Sequence, residues 1–145
     1  MKVQDIPSSQ CWSFLGSRRL GRLGCALDNK PYVVPVSFAI QNPYFFAFTT
    51  KGRKAEYLKE NPLVCLQFDE IASPQSWTSV IVEGRFEEIG GDAEQEHAHA
   101  LLEEAAWWEP GYVQTTIKGN LRPAVPFHFR IFAEKISGRQ GIPGA

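Results

Sequence analysis

The 145-residue sequence predicts a mainly β fold, a barrel of mostly antiparallel strands carrying a few short helices. Runs rich in aromatic and β-branched residues recur with alternating polarity, and Asn, Asp and Pro mark short turns between them. Only three stretches show helical patterning. Antiparallel strands with short connections and few helices favour a closed or nearly closed barrel. With 43% hydrophobic and 12% aromatic residues, the chain can bury a genuine core as one domain, 1–145.

Ser8-Ser9 can cap a first helix, placed at about 8–18, whose apolar residues are Cys11, Trp12, Phe14 and Leu15. From Gly21 to Thr50 the pattern is β. GRLGCALDNKPYVVPVSF reads as two strands joined at Asp28-Asn29-Lys30-Pro31, and YFFAFTT follows a turn at Gln41-Asn42-Pro43. Pro35 cannot donate to a ladder, so its strand belongs at an edge or a bulge, where unpaired backbone is open to a ligand.

A short helix is expected from Lys51 to Glu60, stopped by Pro62. LVCLQFDE and SWTSVIVEGRFEEI return to strand, with Trp77, Ser79 and Ile81 on one face and Val80 and Val82 on the other. Asp92 is read as the N-cap of a longer helix through about Trp108, burying Ala98, Leu101, Leu102, Ala105 and Trp108. GYVQTTIKGNLRP is ambiguous. AVPFHFRIFAEKI is the final strand, and residues of about 140–145 read as a loose tail.

Fifteen basic against sixteen acidic residues give a net charge of −1, which excludes a surface built for nucleic acid. No apolar run is long enough to span a bilayer, and the MKVQDIPSSQ start is not of signal type, so a cytoplasmic protein is expected. Cys11, Cys25 and Cys65 are odd in number, widely spaced and set among apolar residues, which fits buried free thiols.

The most informative stretch for chemistry is Phe48-Thr49-Thr50-Lys51-Gly52-Arg53-Lys54. It sets hydroxyls, a glycine and three cations where a strand meets a helix N-terminus, an arrangement suited to an anion. A solvated basic turn is the alternative. Neither a GxxxxGK[ST] loop nor a GxGxxG is present. His97 and His99, two apart on a helix, point to different faces and cannot share a metal as an i, i+4 pair could, so no metal ligands are assigned. His128 stands alone on its strand face and reads as structural, with haem ligation or proton transfer as minority options.

Gly21-Arg22-Leu23-Gly24, KPYVVPVSF, FAFTTKGRKAEYLKENPLVCLQF, SWTSVIVEGRFEEI and FRIFAEKISGR, in that order, resemble the pyridoxamine 5′-phosphate oxidase-like FMN-binding split barrels. The resemblance is closest to the flavin-nucleotide-binding branch that includes nitroimidazole-resistance reductases, and it covers roughly Gly21 to Arg139. It implies an FMN held at a homodimer interface. Val34, Pro35, Val36 and Ser37 would lie along the isoalloxazine ring; Phe48, Thr49 and Thr50 would meet the ribityl chain and ring edge. Arg53 and Lys54 would hold the phosphate, and Trp77 and Ser79 would reach the flavin from the other side. Trp107, Trp108 and the last strand become candidates for partner contacts.

The branch's reductases carry a histidine where this chain has Ala47 or Phe48, which removes nitroimidazole as the expected acceptor. The basic and aromatic features with which the true oxidase grips its vitamer are not evident at the C-terminus, where only Arg139 is suggestive, so vitamin B6 oxidation is not expected either. The resemblance therefore implies an oxidoreductase that passes electrons from NAD(P)H or another donor to a small organic acceptor. No protein group is assigned as catalytic, because the flavin itself would perform the redox chemistry. A non-enzymatic flavin or haem binder, or a deazaflavin-using relative, is the alternative.

Overall fold

The computed structural model describes residues 1–16, 18–50, 53–104, 113–115, 118–119, 121–123 and 126–144. The chain opens with strand β1 (Lys2–Ile6) and helix α1 (Ser8–Leu15). Strands β2 (Leu20–Leu27), β3 (Lys30–Ser37), β4 (Ala39–Gln41) and β5 (Tyr44–Thr50) follow, then α2 (Arg53–Glu60). Next come β6 (Leu63–Ser73), β7 (Ser76–Glu88) and α3 (Asp92–Glu104). A small pair, β8 (Val113–Thr115) and β9 (Leu121–Pro123), precedes the 17-residue β10 (Pro126–Ile142).

The main sheet runs β3-β2-β6-β7-β10-β5-β4, with β1 also on β10, and every pair in it is antiparallel. Its two edge strands, β3 and β4, are consecutive in the chain with Phe38 alone between them. Among the described residues no hydrogen-bonded ladder joins these edges, so the barrel is split along this seam. The chain itself turns the corner there, and the Phe38 amide donates to the Arg19 carbonyl at 2.6 Å.

Local sequence accounts for much of this. Asp28 and Asn29 alone form the β2–β3 turn, both with positive φ (50° and 64°), the twist that suits a tight hairpin. Pro35 lies on the edge strand as expected, opposite Arg22. Inside the barrel, Phe38, Phe45 and Phe68 meet with ring centroids 5.6–6.1 Å apart, and Trp12 of α1 stacks on Phe45 at 5.6 Å. Leu23, Leu66, Val80, Val82, Phe129 and Ile131 complete the core, all fully buried. Burying such side chains contributes about 1.5–3 kcal/mol each.

Four expectations are corrected. Residues 140–142 are not a loose tail: they continue β10, where Gln140 faces both Thr78 of β7 and Gln4 of β1. The first helix ends at Leu15, and Pro7 rather than a serine occupies its N-cap, with the Cys11 amide donating to the Pro7 carbonyl at 3.0 Å. Asp92 is already inside α3, where the Gly91 carbonyl accepts from the Gln95 amide at 3.2 Å. Cys65 is exposed on β6, whereas Cys11 and Cys25 are buried free thiols. Ala105, Trp107 and Trp108 lie outside the described residues, as do Lys51 and Gly52.

Candidate functional site

The Phe38 corner brings the end of β3 alongside the end of β5, and α2 begins three residues after Thr50. Val34 is half-buried against the core, Pro35 faces outward, and Val36 is buried. Ser37 and Thr49, 4% and 7% exposed, are the polar members of the buried set among the described residues. Buried polar side chains require partners, so two hydroxyls near this seam mark a polar spot in the wall. Phe48 is buried on the opposite side of the sheet from the barrel core, packed with Phe46, Ala98 and Leu102 beneath α3. It can therefore offer a ligand at the seam main chain rather than ring. The side chains of Thr50, Arg53 and Lys54 lie outside what is described; the backbone places Arg53 at the first position of α2.

β3 hydrogen-bonds to β2 on one side and, among the described residues, to no strand on the other. Its free side presents main-chain amides and carbonyls beside Ser37. A planar heterocycle with alternating acceptors and donors along one edge fits such a strip, and an anion fits the adjoining helix start. The residues present thus suit a nucleotide-like group with a conjugated ring.

Trp77 and Ser79 lie elsewhere in the same chain. On β10, Thr49 is paired with Phe127 and Ser79 with Arg139, twelve residues further along. That separation is about 40 Å measured along the strand. As the sequence predicts, Trp77, Ser79 and Ile81 share one face of β7, part-exposed or exposed, while Val80 and Val82 on the other point into the core. The Trp77 indole lies against Gly141, where a Cβ would come within 2.5 Å of its ring nitrogen. A shallow cavity of about 530 Å³ opens here, bounded by Asp5, Trp77, Ser79, Ile81 and Arg139. Gln67 links Ser79 to its surroundings, donating to Ser79 Oγ at 3.3 Å and to Asp69 Oδ2 at 2.8 Å. Arg22 joins the same network, 3.5 Å from Asp69.

Exposed apolar side chains stand among these polar ones. Val33, Leu63, Ile71 and Ile81 stand 43–67% exposed on β3, β6 and β7. Cys65 sits in the same row of the sheet, between Gly24 and Glu83. Partial enclosure of its thiol and the Glu83 carboxylate both raise its pKa, and burial raises that of Cys11. Neither thiol is activated as a nucleophile.

Two further features escaped the sequence. His128 is not alone: His99 on α3 approaches it, Nδ1 to Nε2, at 3.4 Å. Arg130, next on the same face of β10, stacks on Tyr44 at 4.6 Å and pairs with Glu87 at 2.8 Å. The strand-to-helix distance that creates the histidine pair has no sequence signal, since the two residues are separated by 29 positions.

The architecture, an antiparallel barrel split between the edge strands β3 and β4, with β5 leading into α2, places the chain in the class of split-barrel folds. The family pattern described as pyridoxamine 5′-phosphate oxidase matches residues 7–140, and the chain belongs to that family. A protein of Rhizobium meliloti (strain 1021), itself described only as uncharacterized, is 32% identical, covering 99% of each chain. The crystal structure of an FAD-binding protein from Mesorhizobium loti is 34% identical, covers 99% of each chain and superposes with a TM-score of 0.78. An FAD-binding protein from Mycobacterium smegmatis, 23% identical, shares the fold with a TM-score of 0.65 over 94% of this chain and 98% of its own. No helix among the described residues is long and apolar enough to cross a membrane.

Proposed function

We propose that this protein binds a flavin nucleotide, FMN in the first instance, at a site completed by two copies of the chain, and uses it to reduce a small organic acceptor. The observation that carries the reading is the seam: the free edge of β3, the end of β5 and the start of α2 converge there, in a chain of this family. Main-chain groups of Val34–Ser37 hold the ring edge, and the Thr49 and Thr50 segment flanks the sugar chain. Arg53 and Lys54 hold the terminal phosphate at the positive end of α2. When bound, the flavin supplies hydride and electron transfer between a donor such as NAD(P)H and the acceptor. The chain's own task is to bind, orient and shield it.

The separation of Trp77 and Ser79 from the seam supports a homodimer. One chain holds them about 40 Å away along β10, whereas a second chain docked on the outer face of β7 can bring its Trp77 and Ser79 to the first chain's ring. The exposed apolar residues of that face supply the contact area. FAD is the second reading, favoured by the 34%-identical FAD-binding relative. Both nucleotides share the ring and the first phosphate.

Absorption and fluorescence of the purified protein, followed by mass analysis of ligand released by heat, test the reading. Released FMN at one per chain is expected; FAD selects the second reading, and a colourless protein that refuses added flavin overturns both. Replacing Arg53 and Lys54 together by Ala should remove about 3–6 kcal/mol of flavin affinity, two charge-assisted contacts. Unchanged retention in that variant would remove the phosphate assignment.

A further inference from the structure

We propose that His99 and His128 form a binding site for a divalent late transition ion of the zinc type, with Glu103 as the carboxylate that orients His99. The two ring nitrogens, His99 Nδ1 and His128 Nε2, are 3.4 Å apart, and the rings stand nearly perpendicular at 84°. Two imidazole nitrogens bound to one tetrahedral ion at 2.0–2.1 Å lie about 3.4 Å from each other, so the spacing is already that of a bidentate site.

The far side of His99 supports the assignment. Its Nε2 lies 3.0 Å from Glu103 Oε1, one helical turn on. A neutral imidazole that donates from Nε2 keeps its lone pair on Nδ1, the nitrogen that faces His128. Carboxylate, imidazole and metal in line is the arrangement that fixes tautomer and raises ligand basicity in metal sites. Without a metal, His128 Nε2–H donates to His99 Nδ1; on binding, that proton passes through solvent to Nδ1 of His128, freeing Nε2 with no net release.

The surroundings tolerate a cation. The Phe48 ring packs beside His128 at 6.3 Å, and His97 is turned edge-on to Phe46. Arg130, the nearest cation along β10, is held by Glu87 and Tyr44. The His99 side chain is 45% exposed, which leaves an entry path. Among the described residues no third His, Cys, Asp or Glu side chain joins the pair, so two imidazoles are the ligands the site offers there. The ion is therefore exchangeable, bound more weakly than a four-ligand structural zinc, and it clips α3 to β10.

Calorimetric titration of zinc chloride into the full-length protein, with and without bound flavin, tests this. One saturable site per chain in the micromolar range is expected in both forms. His99→Gln and His128→Gln should each weaken it at least about tenfold and Glu103→Gln by less, with His97→Gln without effect. If His128→Gln fails to fold, His99→Gln, at a half-exposed position of α3, still decides. Absence of saturable zinc binding below about 1 mM, or unchanged affinity in His99→Gln, means the histidines are a hydrogen-bonded pair only and overturns the proposal.

Discussion

The two faces of β7 and β10 are made by alternate residues of the same strands, yet they carry opposite contents. Inward lie Val80, Val82, Phe129 and Ile131, none with measurable exposure. Outward lie Trp77, Ser79, Ile81 and Arg139, set in a shallow cavity. The inward set removes apolar area from water and holds the barrel together. The outward set leaves apolar area in water, which a monomer gains nothing by keeping. The difference separates residues that make the fold from residues available to a partner or ligand.

Substitutions can break that division or sharpen it. Phe68→Ala, at the centre of the inward cluster, should cost about 3–5 kcal/mol in urea unfolding, because neither Phe38 nor Phe45 can collapse fully into the space. A loss under about 1 kcal/mol would show the interior to be loosely packed. Gly141→Ala puts a methyl group into the Trp77 indole and should cost about 1–3 kcal/mol, with a change in tryptophan fluorescence as that ring is displaced. An unaltered spectrum would mean that Trp77 does not lie where the outer face needs it.

His128 ties the sheet to α3, and its contribution depends on pH. Its folded pKa lies below the ordinary 6.5, so the unfolded chain takes up a proton that the folded chain refuses. Stability should be full above that value and decline as the pH falls through 6.5 to the folded pKa, below which the loss levels off. Urea midpoints measured across this range should flatten in His128→Gln; a slope that persists there belongs to other groups. The smallest effect on stability is expected from Ile81→Asp, within about 0.5 kcal/mol for the monomer. The same change should convert a dimer to a monomer in sedimentation. If the dimer survives, the outer face is not the interface.

Local chemistry was the legible part of the sequence. Asp28-Asn29 turns the first hairpin, Pro35 marks an edge strand, and alternation along Trp77–Val82 sorts the two faces. What was illegible depends on distant pairing. β1, KVQDI, has only Ile6 buried and is a strand because residues 138–142 lie beside it. The glycines and serine of Ser137–Gly141 imitate a frayed end, and only the partners on both sides show that they continue a strand. Likewise, the candidate site residues could be named one by one. Their division into two groups at opposite ends of β10 rests on register, which no local pattern encodes.

The pairing of β1 with the end of β10 also sets an order of events in synthesis. Gln4 meets Gln140 through side-chain contact at 3.1 Å, across 136 positions of chain. While the ribosome is still making the middle of the protein, the β2–β3 and β6–β7 hairpins can form, because their partners are close in sequence. β1, by contrast, must wait until residues 138–142 have emerged. So must one side of β5, which pairs early with β4 but whose other neighbour is the first half of β10. The nascent chain therefore carries unpaired strand edges at both places until β10 has emerged, and that interval is when chaperones at the ribosome have most to protect.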